Sequence, residues 1–293
     1  METFSSQPAE LGESPVWHPQ RCSLLWLDII EKKLYEKKFS SCSLTIDKEW
    51  HLPEHASFMA RDEFEPEILW MVTDKSFGKF SLVTGLYESL LKIPTNESSR
   101  ANDGGISPDG HFWFGTMQWE PTGFLGGIYS ISPDGELRDH NIAIGIPNTF
   151  CWSNDGKFLY ISDSFNKVIS AYREVKGSAA TPHREILHDF SGFEYTPDGG
   201  AMSSDDCLYN ALWSGGSLAV IGSQGEMLSQ LSVPALQATS CCFGGPNYQH
   251  LFITSAKVAM SMSDLKKYPE SGCVFISERP CPGIPSKPFH LYL

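Results

Sequence analysis

LLWLDI (24–29), ILWMVTD (68–74), HFWFGT (111–116), FLYISD (158–163), CLYNALW (207–213) and LFITSA (251–256) are short apolar runs, each centred on one aromatic residue. Those residues are Trp26, Trp70, Trp113, Tyr160, Tyr209 and Phe252, and the steps between them are 44, 43, 47, 49 and 43 residues. A repeat of that length is the period of a β-propeller blade. Six such repeats account for nearly all of the 293 residues. The expectation is therefore an all-β chain, residues 1–293 forming a single six-bladed domain of antiparallel four-stranded blades.

Around each aromatic run the same punctuation recurs. A turn precedes it, as in HPQRC (18–22), SPDG (107–110), SNDG (153–156), SSDD (203–206) and GPNYQ (245–249). Beyond it come alternating segments such as KKLYE (32–36), GKFSLV (78–83), GGIYSI (126–131) and GSLAVI (216–221), the period-two pattern of strands with one buried face. Insertions interrupt the third repeat at MQWEPTGFL (117–125) and the sixth at AKVAMSMSDLKKYPESG (256–272), where LKKYPE (265–270) reads as a solvated basic loop. The terminal segment PFHLYL (288–293) is expected to supply an outer strand that closes the ring.

Composition narrows the function. A net charge of −13 argues against a nucleic-acid partner, because phosphate neutralisation needs clustered Lys and Arg. A metal cation or a neutral polyol is the better match. No run approaches the roughly 18 apolar residues of a membrane span, and METFSSQPAELGES lacks the basic and apolar regions of a signal peptide, so a cytoplasmic protein away from membranes is expected. The eight cysteines have irregular spacing and no CxxC, which points to reduced thiols.

Counting 11 to 13 residues back from each aromatic reaches the start of the strand nearest the axis, at Glu13, Ser57, Asn102, Asn148, Asp198 and Thr239. All six are polar in segments otherwise rich in apolar residues. Gly and Pro around them, as in GESPVW (12–17) and TPDGGAM (196–202), indicate tight backbone that presents one side chain in a fixed direction. Oxygen donors from separate blades, such as Glu13, Asn148 and Asp198, suit a hard divalent cation.

At these residues the sequence resembles the SMP-30/gluconolactonase family, also called regucalcin or luciferin-regenerating-enzyme-like. GESPVWHPQRCSLLWLDI, RANDGGISPDGHFWFGTM, PNTFCWSNDGKFLYISDS, PDGGAMSSDDCLYNALWSGG and TSCCFGGPNYQHLFITSA are similar to its successive motifs, over roughly residues 10 to 277. The resemblance implies a six-bladed propeller, one axial divalent cation (Ca, Mg, Mn or Zn, with calcium favoured) and hydrolysis of a small-molecule sugar lactone. It places the metal ligands on Glu13, Asn148 and Asp198, substrate contacts on Arg100, Asn102 and Glu120, and leads us to assign Asp198 a second role as general base. Where the family commonly has NGL, this chain has Asn148, Thr149 and Phe150; where it often has NDGK, this chain has Asn102, Asp103, Gly104 and Gly105. A phosphotriester hydrolase on the same scaffold and a non-catalytic calcium-binding propeller are the alternatives. A monomer or weak homodimer is expected.

Overall fold

The computed structural model describes residues 1–173 and 183–292. Its strands form six four-stranded antiparallel sheets. The first blade runs outward through Gly12–His18, Ser23–Asp28, Lys33–Lys38 and Lys48–His51, and the next four repeat this order. Their inner strands are Phe58–Arg61, Ser99–Ile106, Pro147–Trp152 and Thr196–Met202; that of the sixth blade is Gln237–Gly244. Every aromatic that set the period lies on the second strand of its blade. Five of them are buried, and Trp113 is half-buried, stacked on His140 at 3.9 Å between ring centroids.

A blade is apolar on both faces and must bury each against a neighbour. Six main clusters do this, one per seam: Leu27 with Met71, Phe77 with Phe112, Ile128 with Ile161, Tyr160 with Leu208, Tyr209 with Phe243, and Trp26 with Phe252. The last joins the sixth blade to the first and makes the stack a closed ring. Inner strands accordingly contact both neighbours around one axis.

Ring closure differs from the sequence expectation. The fourth strand of the sixth blade is Glu2–Ser5, paired antiparallel with Val274–Glu278, and Phe4 packs edge-on against Phe252 with centroids 4.9 Å apart. The C-terminal segment makes only isolated one-residue bridges, Ser203 to Gly283 and Asp62 to Phe289. Prolines at 280, 282, 285 and 288 remove the amide donors that a continuous strand requires. The segment crosses one end of the ring instead and buries Phe289 against Trp70, Phe77 and Phe112; Leu293 lies outside the described residues. LKKYPE also differs: Leu265–Lys267 belong to a short helix, Met262–Lys267, whose N-terminus is capped by Ser261 accepting from the Asp264 amide. All eight cysteines are free, four of them buried. Among the described residues no helix is long and apolar enough to cross a membrane.

Phe4 contributes both to the closing strand and to the seam behind it. Phe4→Ala is expected to cost about 3–5 kcal/mol, measured as a lower urea midpoint with an unchanged m-value.

Candidate functional site

Bulges in the inner strands put polar side chains on the axis. Pairing between first and second strands shifts between Glu13 and Val16, Ala101 and Gly104, Asn148 and Cys151, Pro197 and Gly200, and Ala238 and Ser240. A bulge bends the strand and re-aims a side chain that regular pleating would direct into a seam. Glu13, Asn102, Asn148, Asp198 and Thr239 all fall at or within these shifts. In the second blade Ser57 stands just before a strand with no bulge. The backbone cost is visible after two of the acceptors, where Ser14 and Thr149 have φ of 48° and 58°. After Asp198, Gly199 is required because a Cβ there would lie 2.4 Å from Ser240 Oγ.

The hydrogen bonds around the axis lock these side chains. Asn148 Nδ2 donates to Ser164 Oγ at 2.9 Å, so its Oδ1 faces Asn102, whose Nδ2 donates to it at 2.9 Å. Arg100 Nη1 donates to Asn102 Oδ1 at 2.7 Å and to Ala101 O at 3.0 Å. Asp198 Oδ1 accepts from the Gly199 amide at 3.1 Å. Asp103, on the same bulge as Asn102, accepts from the Thr149 amide at 2.9 Å. Three of the six expected site residues (Arg100, Asn102 and Asn148) are thus tied into one network, with Glu13 and Asp198 coupled to Arg100 by charge.

Glu120 is not brought into that network. It is exposed on the loop after Phe112–Gln118 and makes no hydrogen bond to the axial residues. The residue of that loop that reaches the site is Trp119, whose ring lies 5.1 Å from the Arg100 guanidinium and 5.1 Å from the His55 ring. His55 is fixed in turn by Asp74, with Nδ1 to Oδ2 at 3.1 Å. Trp119 belongs to the insertion MQWEPTGFL, and no periodicity in the sequence relates it to His55.

Thr149 is the second residue that sequence reading undervalued. A β-branched residue at positive φ is strained, and its hydroxyl explains why the conformation is held. Thr149 Oγ1 donates to the Asp198 carbonyl and accepts from Asn210 Nδ2 at 2.6 Å and Ser162 Oγ at 3.1 Å. The residue following one expected ligand therefore anchors the backbone of another.

Electrostatically the axis is short of positive charge. Burial, then the charges of Asp198 and Asp103, pushes Glu13 well above the usual carboxylate range. Burial followed by Asp103 does the same to Asp198, and burial raises Asp103 to about 6. Arg100 is the cation that opposes Glu13 and Asp198; its own value is lowered by burial to about 10, and it stays charged. Among the described residues no three His, Cys, Asp or Glu side chains are grouped tightly enough to hold a metal by themselves. The donor set is two carboxylates with an amide oxygen, and their buried negative charge is what a hard divalent cation would neutralise.

Fold and site together define a six-bladed propeller with an acidic axial centre. The chain matches the SMP-30/Gluconolactonase/LRE-like family over residues 11–257, and it belongs to that family. It is 29% identical to the regucalcin of Danio rerio over 94% of this chain and 92% of the relative, and 31% identical to the 6-deoxy-6-sulfogluconolactonase of Pseudomonas putida over 94% of each. Among solved structures it superposes on a calcium-binding protein, regucalcin, from Agrobacterium tumefaciens with a TM-score of 0.88 at 24% identity, covering 100% of this chain and 97% of that one.

Two outcomes test this geometry. Thr149→Val keeps the shape but removes the acceptor shared by Asn210 and Ser162 and a donor to the Asp198 carbonyl, and should cost about 1–3 kcal/mol of stability in urea unfolding. For the carboxylates, folded values above the unfolded ones mean that the folded chain binds more protons. Without metal, the melting temperature should therefore fall as pH rises from the ordinary aspartate value of 3.8 through about 6. Millimolar calcium should flatten that fall, and an unchanged profile would remove the cation from the site.

Proposed function

We propose that the chain hydrolyses sugar lactones with the help of one divalent cation held by Glu13, Asn148 and Asp198. The observation that carries this reading is the axial charge pattern, in which buried carboxylates from separate blades sit beside one buried arginine. Similarity to the sulfogluconolactonase over nearly the whole chain supports it. Oxygen-only donors favour calcium over zinc.

Opening a lactone adds water to the ester carbonyl, breaks the ring C–O bond and returns a proton to the departing oxygen. The product is a hydroxy acid. A bound divalent cation supplies Lewis acidity and lowers the pKa of water. The chain's own residues perform the rest. Asp198 has Oδ1 tied to the Gly199 amide, which leaves Oδ2 to take the proton of the attacking water as general base. Asp103, held by the Thr149 amide, keeps the negative field that maintains Asp198 as a base.

Arg100 is placed to recognise substrate. Nη1 is committed to Asn102 and Ala101, while Nε is buried without a partner. The stacked Trp119 holds the guanidinium plane, leaving donors for ring hydroxyls or a developing oxyanion. Asn102 can contribute its remaining acceptor capacity to a polyol. Glu120, on the same loop as Trp119, is the third contact we assign, at the rim.

The test is a pH-indicator assay on a panel of aldonolactones, with calcium, magnesium, manganese or zinc and with EDTA, run beside metal analysis. Asp198→Ala should lose bound metal and about 10²–10⁴ in rate over the spontaneous reaction. Arg100→Gln should keep the metal and lower kcat/KM about 10–100-fold. Wild-type turnover in Asp198→Ala overturns the mechanism. Absence of acid release from every lactone, with calcium binding intact, replaces it with a non-catalytic calcium protein.

A further inference from the structure

Each inner strand continues along the axis away from Arg100 and Trp119, and the side chains there change character. A cavity of about 320 Å³ lies among them, walled by Phe58, Met59, Cys151, Met202, Cys241 and Phe243. Glu13, Asn148 and Asp198 do not line it; Ser14 and Asp103 form its inner limit. At the far end it is floored by Ile284–Lys287 of the C-terminal segment. That strap is fastened on both sides: Ile284 N donates to Met202 O at 2.9 Å, Phe289 N to Arg61 O at 2.9 Å, and Lys287 Nζ to Pro108 O at 2.9 Å. Exposed turn residues Pro108 and Asn154–Gly156 border the cavity beside the strap, so it communicates with solvent there.

Four charged residues line the space, with Asp155 and Lys287 exposed at its mouth, Asp103 at its inner limit, and Arg61 as its one buried cation. Arg61 lines the cavity with only 9% of its surface exposed. Among the described residues its sole side-chain hydrogen bond is from Nη2 to Ser286 O at 2.9 Å, and Nε is buried with no partner. No carboxylate pairs with it among the described residues. The adjacent Asp62 turns elsewhere, accepting from Trp70 Nε1 at 2.8 Å and meeting His290 Nδ1 at 2.9 Å. Burying an unpaired guanidinium is costly unless an anion completes its fork. A cavity of this size, mostly apolar in its walls with one buried cation, has the usual build of a small-molecule site.

We propose that this second axial cavity binds a small organic carboxylate with an apolar body, its carboxylate on Arg61 and its chain among Phe58, Met59, Met202 and Phe243. The site is separate from the acidic centre and requires no metal. The strap sets its depth, because Ser286 fixes the guanidinium from the outside. Asp103 at the inner limit orients the ligand, repelling the charged end toward Arg61.

Octanoate and 1-octanol serve as probes in titration calorimetry on the full chain, with EDTA present so that a carboxylate cannot bind through a metal. Octanoate should bind wild type about tenfold or more tightly than octanol, the difference a charge-assisted hydrogen bond makes. Arg61→Gln should abolish that preference while still binding octanol. Ala201→Phe, which adds bulk to the lining from the fifth blade while Arg61 stands on the second, should lose both ligands, and it decides the matter if the arginine variant does not fold. Equal binding of octanoate and octanol by wild type, no octanoate binding at all, or undiminished octanoate binding by Ala201→Phe each overturns the proposal.

Discussion

Everything at the axis depends on the pairing of Glu2–Ser5 with Val274–Glu278. A blade cannot cover both of its apolar faces alone, so the stack is stable only when the sixth seam is filled like the other five. Phe4, Trp17, Trp26 and Phe252 fill it. The constraint is geometric as well as energetic. Only a closed ring turns six independent inner strands toward one line, and only then do side chains from residues 13 to 239 share a volume a few ångströms across.

Once that line exists, bulges decide what occupies it. Regular strands would point Glu13, Asn102, Asn148 and Asp198 by the pleat alone; the register shifts in five blades aim them together. The strain is local and is held by local bonds. Thr149 keeps an unfavourable φ because its hydroxyl ties the Asp198 carbonyl to Asn210 and Ser162. The carboxylates themselves are arranged against their electrostatic preference, with Arg100 as the opposing cation. Such a site stores a demand for positive charge, which protons meet in acid and a divalent cation can meet at neutral pH.

The two ends of the axis are chemically unlike. At one end Arg100 is hydrogen-bonded, stacked under Trp119 and surrounded by acidic groups. At the other Arg61 stands in a mostly apolar wall beneath a proline-rich strap, bonded to Ser286 and paired with no carboxylate among the described residues. The same fold element, the inner strand, produces both because its two ends face different neighbours. Cys151, Cys241 and Cys242 belong to the second environment, and burial raises all three thiols above their ordinary value. They serve there as small apolar side chains.

By itself the amino-acid sequence determined the blade count, the placement of aromatic second strands and the polar residue near the start of each inner strand, because a repeat imprints its period on every copy. Family motifs then singled out Glu13, Asn148 and Asp198. Contacts between distant segments are not periodic, and these only the tertiary structure decided. Closure by the N-terminus rather than by PFHLYL, the placing of Trp119 over Arg100, and the strap that covers Arg61 all join residues that no repeat relates. Their partners lie on other blades, and which surfaces meet is set by how the ring closes.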